Sequence, residues 1–440
     1  MKIRFYNARI LNINEDGIKL IEGELHTDND KISFVGTKEE AAKVLKDQTF
    51  DTEKDLEKNL LMPGFKNAHT HSAMTLFRSY ADDLPLQEWL YNKIFPMEAK
   101  LTEEDVYWGV RLAILEYLSS GITSIFDMYM KMDSTVKAST DAGFRTVLCE
   151  SINDFGGSIE QVEKDFLRFN KETNPELSDL ISYQLGFHAE YTTKRETLEG
   201  LSELANKYKK PICTHNSETQ KEVNECIERY GMTPTTFLNS LGLYNYGGAT
   251  FHGIYLTEED MEISKEKNVH IVTNPSSNLK LASGIAHVDE LVKKGINVAI
   301  GTDGPASNNC LDMFREMFLV TGLQKVQNMD AACMDGDTVL KMACYNGAHA
   351  MYLDDCDELA VDKKADLTVI NLKTPNMNPI LNISKNIVYA GSKSNIKMTV
   401  VNGQILYEDG KYNCFNTTEE EIYAKANECI DGIKKRLNEG

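Results

Sequence analysis

The chain has 440 residues, of which 42% are hydrophobic, so it can bury a large core. Its formal net charge of −20 argues against a nucleic-acid or anionic-membrane partner, which would require a basic surface. The nine scattered cysteines include no CxxC pair and indicate free thiols in a reducing cytosol. No apolar run approaches the ~18 residues that span a bilayer, and the first residues lack the apolar core of a signal peptide. These features predict a soluble, cytoplasmic protein.

The first 58 residues predict a small β structure. Apolar and β-branched residues favour short strands at 3–5, 9–13 and 31–35, and the segment Asn14-Glu-Asp-Gly17 is typical of a turn. Antiparallel pairing is expected because the connections are short.

Strands and helices alternate through the middle of the chain. The stretch 103–120 is predicted as a helix because Val106, Val110, Ile114 and Leu118 recur at helical spacing, and Gly121 can end it. Eight buried strands are predicted at residues 60–68, 122–127, 145–149, 181–188, 211–215, 249–252, 269–273 and 297–303. Eight strand–helix repeats are typical of a (β/α)8 TIM-type barrel, so the predicted fold class is α/β.

Strands return after the barrel, at 365–370 and 398–406, and a helix rich in Glu, Lys and Ala is expected over 416–440. The simplest arrangement is a small β-sandwich-like domain that combines both chain ends. We therefore predict this discontinuous domain at 1–58 and 360–415, and the barrel at 59–359.

Two histidines, His69 and His71, stand at the end of the first predicted barrel strand. Residues two apart in a strand point to the same side, so both imidazoles can face one point in space. Neutral imidazole is the commonest protein ligand for a transition metal. An isolated His-x-His pair can equally be two unrelated histidines, so the interpretation depends on the other strand ends.

Those other strand ends carry the same kind of chemistry. The active site of a barrel lies at the carboxyl ends of its strands. Five of the nine histidines and one aspartate are predicted there: His69, His71, His188, His215, His252 and Asp303. A set of three imidazoles and one carboxylate suits Zn²⁺ or Fe²⁺, and here it consists of His69, His71, His215 and Asp303. A metal in such a site makes water nucleophilic near neutral pH.

Three of the nearby groups are candidates for proton transfer. Asp303 can accept a proton from the attacking water, His252 can orient that water, and Glu218 can shuttle a proton to a bound heteroatom. Each has an alternative explanation. His252 could be a core imidazole bonded to backbone, Glu218 a solvated carboxylate at a helix start, and Asp303 part of the turn in Asp-Gly-Pro.

Several segments resemble a known superfamily. Pro63-Gly-Phe-Lys-Asn-Ala-His-Thr-His71, His215-x-x-Glu218 and Gly301-Thr-Asp-Gly304 resemble the mononuclear branch of the amidohydrolases. More narrowly, the segments 73–90, 277–284 and 301–314 resemble the 5-methylthioadenosine/S-adenosylhomocysteine deaminases. The resemblance covers nearly the whole chain and implies a metal-dependent barrel.

The resemblance also implies roles for individual residues. It implies one divalent metal ion, with Zn first and Fe, Ni or Mn as alternatives, bound by His69, His71, His215 and Asp303. It implies catalysis by Glu218, His252 and Asp303, two of which (Glu218 and Asp303) would also contact the substrate. The further substrate contacts are Glu98 on the ribose hydroxyls, His188, Ser307, and Trp89 as an aromatic wall, for which a packed core indole is the alternative.

The chain departs from the family pattern at two places. It reads Phe187-His-Ala-Glu190 where the family usually has Pro-His-Ala-Pro, and it has Glu150 where the family has a substrate-binding arginine. If Glu150 faces the substrate, it disfavours the homocysteine carboxylate by like-charge repulsion. We therefore expect a small uncharged 5′ group, as in 5′-methylthioadenosine, 5′-deoxyadenosine or adenosine. An outward-facing Glu150 is the alternative.

The expected reaction is hydrolytic deamination at C6 of an adenine nucleoside, which yields the inosine analogue and ammonia. The alternatives are guanine deamination or triazine dechlorination on the same scaffold and, more remotely, a non-catalytic scaffold protein. The expected partner is a small nucleoside, and a homo-oligomer is compatible with the sequence.

Overall fold

The computed structural model describes residues 1–154 and 156–439. Within these ranges the strands form two sheets. The strands are β1 (Lys2–Asn14), β2 (Gly17–Asp28), β3 (Lys31–Thr37), β4 (Thr52–Asp55), β5 (Leu60–Pro63), β6 (Phe65–Thr70), β7 (Ile122–Met128), β8 (Arg145–Cys149), β9 (Ile181–Ala189), β10 (Ile212–Asn216), β11 (Gly248–His252), β12 (Val269–Thr273), β13 (Val298–Ile300), β14 (Leu367–Ile370), β15 (Ile396–Val401), β16 (Gln404–Glu408) and β17 (Lys411–Tyr412).

Helices connect most of these strands. The α-helices are α1 (Lys38–Val44), α2 (Leu86–Trp89), α3 (Phe95–Glu98), α4 (Glu103–Ser119), α5 (Met132–Ala142), α6 (Ile159–Phe169), α7 (Arg195–Tyr208), α8 (Gln220–Tyr230), α9 (Pro234–Ser240), α10 (Glu258–Glu266), α11 (Pro275–Lys280), α12 (Val288–Lys293), α13 (Met313–Asn328), α14 (Gly336–Ala343), α15 (Tyr345–Ala350), α16 (Ile383–Lys385) and α17 (Glu419–Asn438). In the part of the chain described, no helix is both long and apolar enough to cross a bilayer.

Eight parallel strands, β6 to β13, form a barrel in which each strand lies beside the next one in the chain. The barrel is closed just beyond β13, where the backbone N–H groups of Thr302 and Asp303 donate to the His69 carbonyl at 3.1 and 3.0 Å. The Asn67 amide side chain adds a hydrogen bond to Thr302 Oγ1 at 2.7 Å. The predicted α/β barrel is confirmed.

The chain ends form the second sheet, which has nine strands in the order β17-β16-β15-β14-β5-β1-β2-β3, with β4 paired to β1. It is a mixed sheet, because β1 pairs in parallel with β4 and β5 while its other neighbour, β2, is antiparallel. The predicted domain built from both chain ends is therefore present, as one mixed sheet with its own apolar core.

The first predicted barrel strand is divided between the two sheets. Residues 60–63 form β5 in the terminal sheet, and only residues 65–70 enter the barrel. Gly64 marks the crossing: its N–H bonds the Asp366 carbonyl of the terminal sheet, and the next N–H bonds Gly121 at the start of β7. A Cβ at Gly64 would lie 2.1 Å from the Thr123 side chain, so only glycine fits. The prediction of one strand over 60–68 was wrong because the apolar run continues through this crossing.

Other predicted strand ranges differ from the observed ones for local reasons. The strands predicted at 3–5 and 9–13 are one strand with a bulge between Phe5 and Ala8, where Asn7 has a φ of 53°. The strand predicted at 297–303 shortens to β13, since residues 301–303 turn inward. The segment 398–406 is a hairpin turning at Asn402 and Gly403, both with positive φ, which suits the twist of paired strands.

Candidate metal centre and active site

Barrel closure brings the polar groups of the strand ends together. His69 lies in β6 and His71 directly after it, while His188, His215 and His252 lie at the ends of β9, β10 and β11. Asp303 follows β13, and Thr70 Oγ1 donates to its carbonyl at 3.1 Å. All six predicted rim residues therefore lie at one end of the barrel.

Five of these groups surround one point. The ligand atoms of His69, His215, His252 and Asp303 all lie within 4.8 Å of one another. The Nε2 atom of His71 is 3.2 Å from Asp303 Oδ1, and that of His69 is 3.5 Å from the same oxygen. His252 is the member that the predicted ligand set did not contain.

Three of the imidazoles are each oriented by a hydrogen bond that their Nδ1 donates. His71 Nδ1 lies 2.6 Å from the Met128 carbonyl, and His215 Nδ1 lies 2.6 Å from the His188 carbonyl. His252 Nδ1 lies 2.7 Å from Asn278 Oδ1. Because each Nδ1 donates to an oxygen, each Nε2 keeps its lone pair for the centre of the cluster.

His69 provides the test of whether a metal fits. Among the residues that the structure describes, neither of its buried ring nitrogens has a hydrogen-bond partner, which costs about 1–3 kcal/mol for an unsatisfied buried group. Burial also lowers the pKa of His69 to about 3, so the ring is neutral and can offer a lone pair. A divalent cation would bind one ring nitrogen of His69 together with the Asp303 carboxylate, so the residues present fit a metal ion.

Two of the rim residues have strained backbones. His252 and Asp303 have φ values of 75° and 59°, in the left-handed region that residues with a Cβ rarely adopt. Such strain persists only where the surrounding structure imposes it. Here it turns both side chains from the strand ends into the cluster.

Glu218 lies beside the cluster at the start of the loop before α8. Its Oε2 is 3.8 Å from His252 Nε2, and Ser283 donates to its Oε1 at 3.2 Å. Burial raises the pKa of Glu218, which favours its protonated form relative to an exposed glutamate. The buried carboxylate of Glu222 accepts the backbone N–H groups of Ser217 and Glu218, both at 2.8 Å, and so holds this loop in place.

An inner chamber opens directly above the cluster. Leu86, Trp89 and Leu90 form part of its wall, and the role of Trp89 as an aromatic wall beside a ligand stays a prediction. Glu98 and His188 also line it. Burial raises the pKa of Glu98 to about 7.

Two predicted substrate contacts lie elsewhere. Ser307 is buried behind Asp303, to whose Oδ2 it donates at 3.0 Å, so it supports the carboxylate instead of lining the chamber. Glu150 is half-buried and lines a second, outer chamber that adjoins the first. Its carboxylate accepts a hydrogen bond from Tyr183 Oη at 3.4 Å, and the orientation of Glu150 toward a substrate stays a prediction.

Sequence reasoning missed several supporting residues. Asn278 orients His252, Ser277 donates to Asp303 Oδ2 at 2.5 Å, and Glu222 holds the Glu218 loop. Ser277 and Asn278 lie in the segment 277–284, whose resemblance to the deaminases was the available signal. Tyr129, which lines both chambers, carried no signal because it follows an ordinary buried strand.

A barrel with a cluster of histidines and an aspartate at its strand ends has the arrangement of a metal-dependent hydrolase. Residues 60–406 match the amidohydrolase family. The chain belongs to this family, whose members depend on metal, and it is a hydrolase acting on C–N bonds.

Named relatives align with almost the whole chain. It is 38% identical to a 5-methylthioadenosine/S-adenosylhomocysteine deaminase of Syntrophomonas wolfei over 97% of this chain and 98% of that one. It is also 38% identical to a 5′-deoxyadenosine deaminase of Methanobrevibacter smithii, with 97% of each chain covered. The crystal structure of a Xanthomonas campestris adenosine deaminase with bound zinc superposes with a TM-score of 0.91 at 30% identity, covering 99% of this chain and 98% of that one.

Proposed function

We propose that this protein catalyses the metal-dependent hydrolytic deamination of an adenine nucleoside at C6. The observation that carries the proposal is the buried cluster of His69, His71, His215, His252 and Asp303 at the floor of a chamber that also contains Glu218. The products would be the inosine analogue and ammonia. The full-length similarity to three deaminases of adenine nucleosides supports this choice of substrate.

We assign the metal to His69, His71, His215 and Asp303, and Zn²⁺ is the first candidate because imidazole and carboxylate ligands suit it, with Fe, Ni or Mn as alternatives. A cation in this site would lower the pKa of water and make it nucleophilic toward C6. Asp303 takes the proton from the attacking water, and its Oδ2 is held by Ser277 and Ser307 for that purpose. His252 stabilises the charge that develops on the attacking oxygen.

Glu218 acts on the other reacting atom. In its protonated form it donates to the adenine ring nitrogen beside C6, which makes that carbon more electrophilic. Its raised pKa, caused first by burial, favours this form. Asp303 then delivers its proton to the departing amine, and Glu218 regains a proton as the hydroxyl group added to C6 becomes the carbonyl.

The rest of the chamber suits a ribose. Glu98 stands at the boundary of the two chambers, where its two carboxylate oxygens can accept from both hydroxyls of a cis-diol. His188 and the indole of Trp89 would border the nucleoside. Guanine and a triazine have no cis-diol to donate to the Glu98 carboxylate, so we prefer a nucleoside over those alternatives.

The test is ammonia release from a substrate panel, with metal content measured in the same sample. The panel contains adenosine, 5′-deoxyadenosine, 5′-methylthioadenosine, S-adenosylhomocysteine, guanine and a chlorotriazine. We expect activity on adenine nucleosides alone and about one metal ion per chain. Turnover of guanine or of the triazine but of no nucleoside would overturn the proposal, as would full activity without metal.

A further inference from the structure

The outer chamber lies where the 5′ substituent of the proposed nucleoside would extend. It has a volume of about 730 Å³ and shares Phe95, Glu98, Tyr129 and Met130 with the inner chamber. With the base beside Glu218 and the ribose at Glu98, the 5′ position faces this second space. A methyl group alone would leave most of it unfilled, so a longer substituent fits better.

The charges that line the outer chamber are mostly negative. Arg168 Nη2 lies 3.1 and 3.0 Å from the carboxylates of Asp133 and Asp165, so these two anions share one cation. Lys131 lies 3.8 Å from Glu103. Glu150 has no such cation: among the residues that the structure describes, only Ser151 N–H at 3.1 Å and Tyr183 Oη at 3.4 Å donate to it.

We infer that Glu150 selects a 5′ substituent that carries a positive charge and rejects one that carries a net negative charge. The inference rests on the proposed function and names the substrate class within it. A half-buried carboxylate in a partly enclosed space gains most from a cation that arrives with the substrate. An ammonium group on the 5′ chain would supply the cation that the described residues do not. The chamber also has room for a substituent longer than the small uncharged group expected from the sequence.

Three matched nucleosides test this inference. They are 5′-thioadenosines that carry S-(3-aminopropyl), S-propyl or S-(2-carboxyethyl) groups, which have similar length and differ in charge. Assays are run above the pKa of Glu150, which burial raises to about 7. For the wild type we expect kcat/KM to fall about tenfold from the amine to the propyl compound and about tenfold again to the carboxylate, as expected for one partly screened charge contact.

The variant Glu150→Gln removes the charge and keeps the shape. We expect both kcat/KM ratios to approach one in this variant. The matched control is Glu176→Gln, which makes the same charge change at an exposed position and should leave the ratios unchanged.

Two kinds of failure can be told apart. Equal wild-type rates for the three compounds, or ratios that survive in Glu150→Gln, would overturn this inference and leave the deaminase proposal intact. If the wild type releases no ammonia from any adenine nucleoside, the deaminase proposal fails, and this inference fails with it.

Discussion

His71 and His252 are the two histidines that the geometry makes hardest to tell apart as metal ligand or as a group that acts on the reacting oxygen. Both lie near Asp303, yet their partners differ. His71 Nε2 is 3.2 Å from Asp303 Oδ1, whereas His252 Nε2 also approaches Glu218 Oε2 at 3.8 Å. Because His252 also lies close to the proton-transferring carboxyl of Glu218, it is better placed to act on water and substrate than to bind the metal.

This difference predicts opposite results for two matched substitutions. His71→Ala should lower bound metal well below one ion per chain, because it removes a ligand. His252→Ala should retain the metal and lower kcat about 100-fold or more, because it removes a group that acts on the reacting oxygen. Metal analysis after desalting and steady-state kinetics provide the two measurements. Loss of metal in His252→Ala, with metal retained in His71→Ala, would reverse the assignment.

At the scale of elements, the hairpin of β15 and β16 shows how the terminal sheet is fixed. Gly403 has a φ of 73°, and a Cβ there would lie 1.7 Å from the Asn29 carbonyl oxygen in the turn between β2 and β3. The Gly403 N–H also bonds the Ala365 carbonyl. The turn is therefore pressed against the backbone on the opposite side of the same domain.

The substitution Gly403→Ala should destabilise the protein by at least about 2 kcal/mol, because the methyl group meets backbone that must move. Gly410→Ala is the control: it has a φ of 82° but nothing within 4 Å of its Cβ, so it should cost only about 1 kcal/mol from backbone conformation. Denaturant unfolding of both variants measures the difference. Equal losses of unfolding free energy in the two variants would show that the close approach of Gly403 to Asn29 contributes nothing to the effect.

For the molecule as a whole, the metal links catalysis to stability. The cluster draws residues from β6, β10 and β11 and from the loop after β13, so a cation bound there joins opposite sides of the barrel. A ligand present at a thousandfold its Kd stabilises the native state by about 4 kcal/mol.

Chelation should therefore abolish activity and lower the Tm by about 5 °C, and added Zn²⁺ should restore both. Calorimetry and ammonia release on the same sample are the measurements. The control is the chelator already saturated with Zn²⁺, which should change neither value. Unchanged activity after complete metal removal would contradict a metal-dependent reaction.

The local sequence determined the groups at the ends of the barrel strands. His69, His71, His215, His252 and Asp303 could be named in advance because strand spacing and barrel geometry follow from near neighbours in the chain. The barrel and the domain built from both chain ends were predictable for the same reason, since apolar runs and turn residues repeat with the period of their elements.

Only the tertiary structure decided which groups meet. It moved Ser307 behind Asp303, placed Glu150 in an outer chamber, and divided the apolar run 60–68 between two sheets at Gly64. These outcomes depend on loop paths and on contacts between residues far apart in the chain. Residue type and spacing do not predict such contacts, because these contacts form only when the barrel closes.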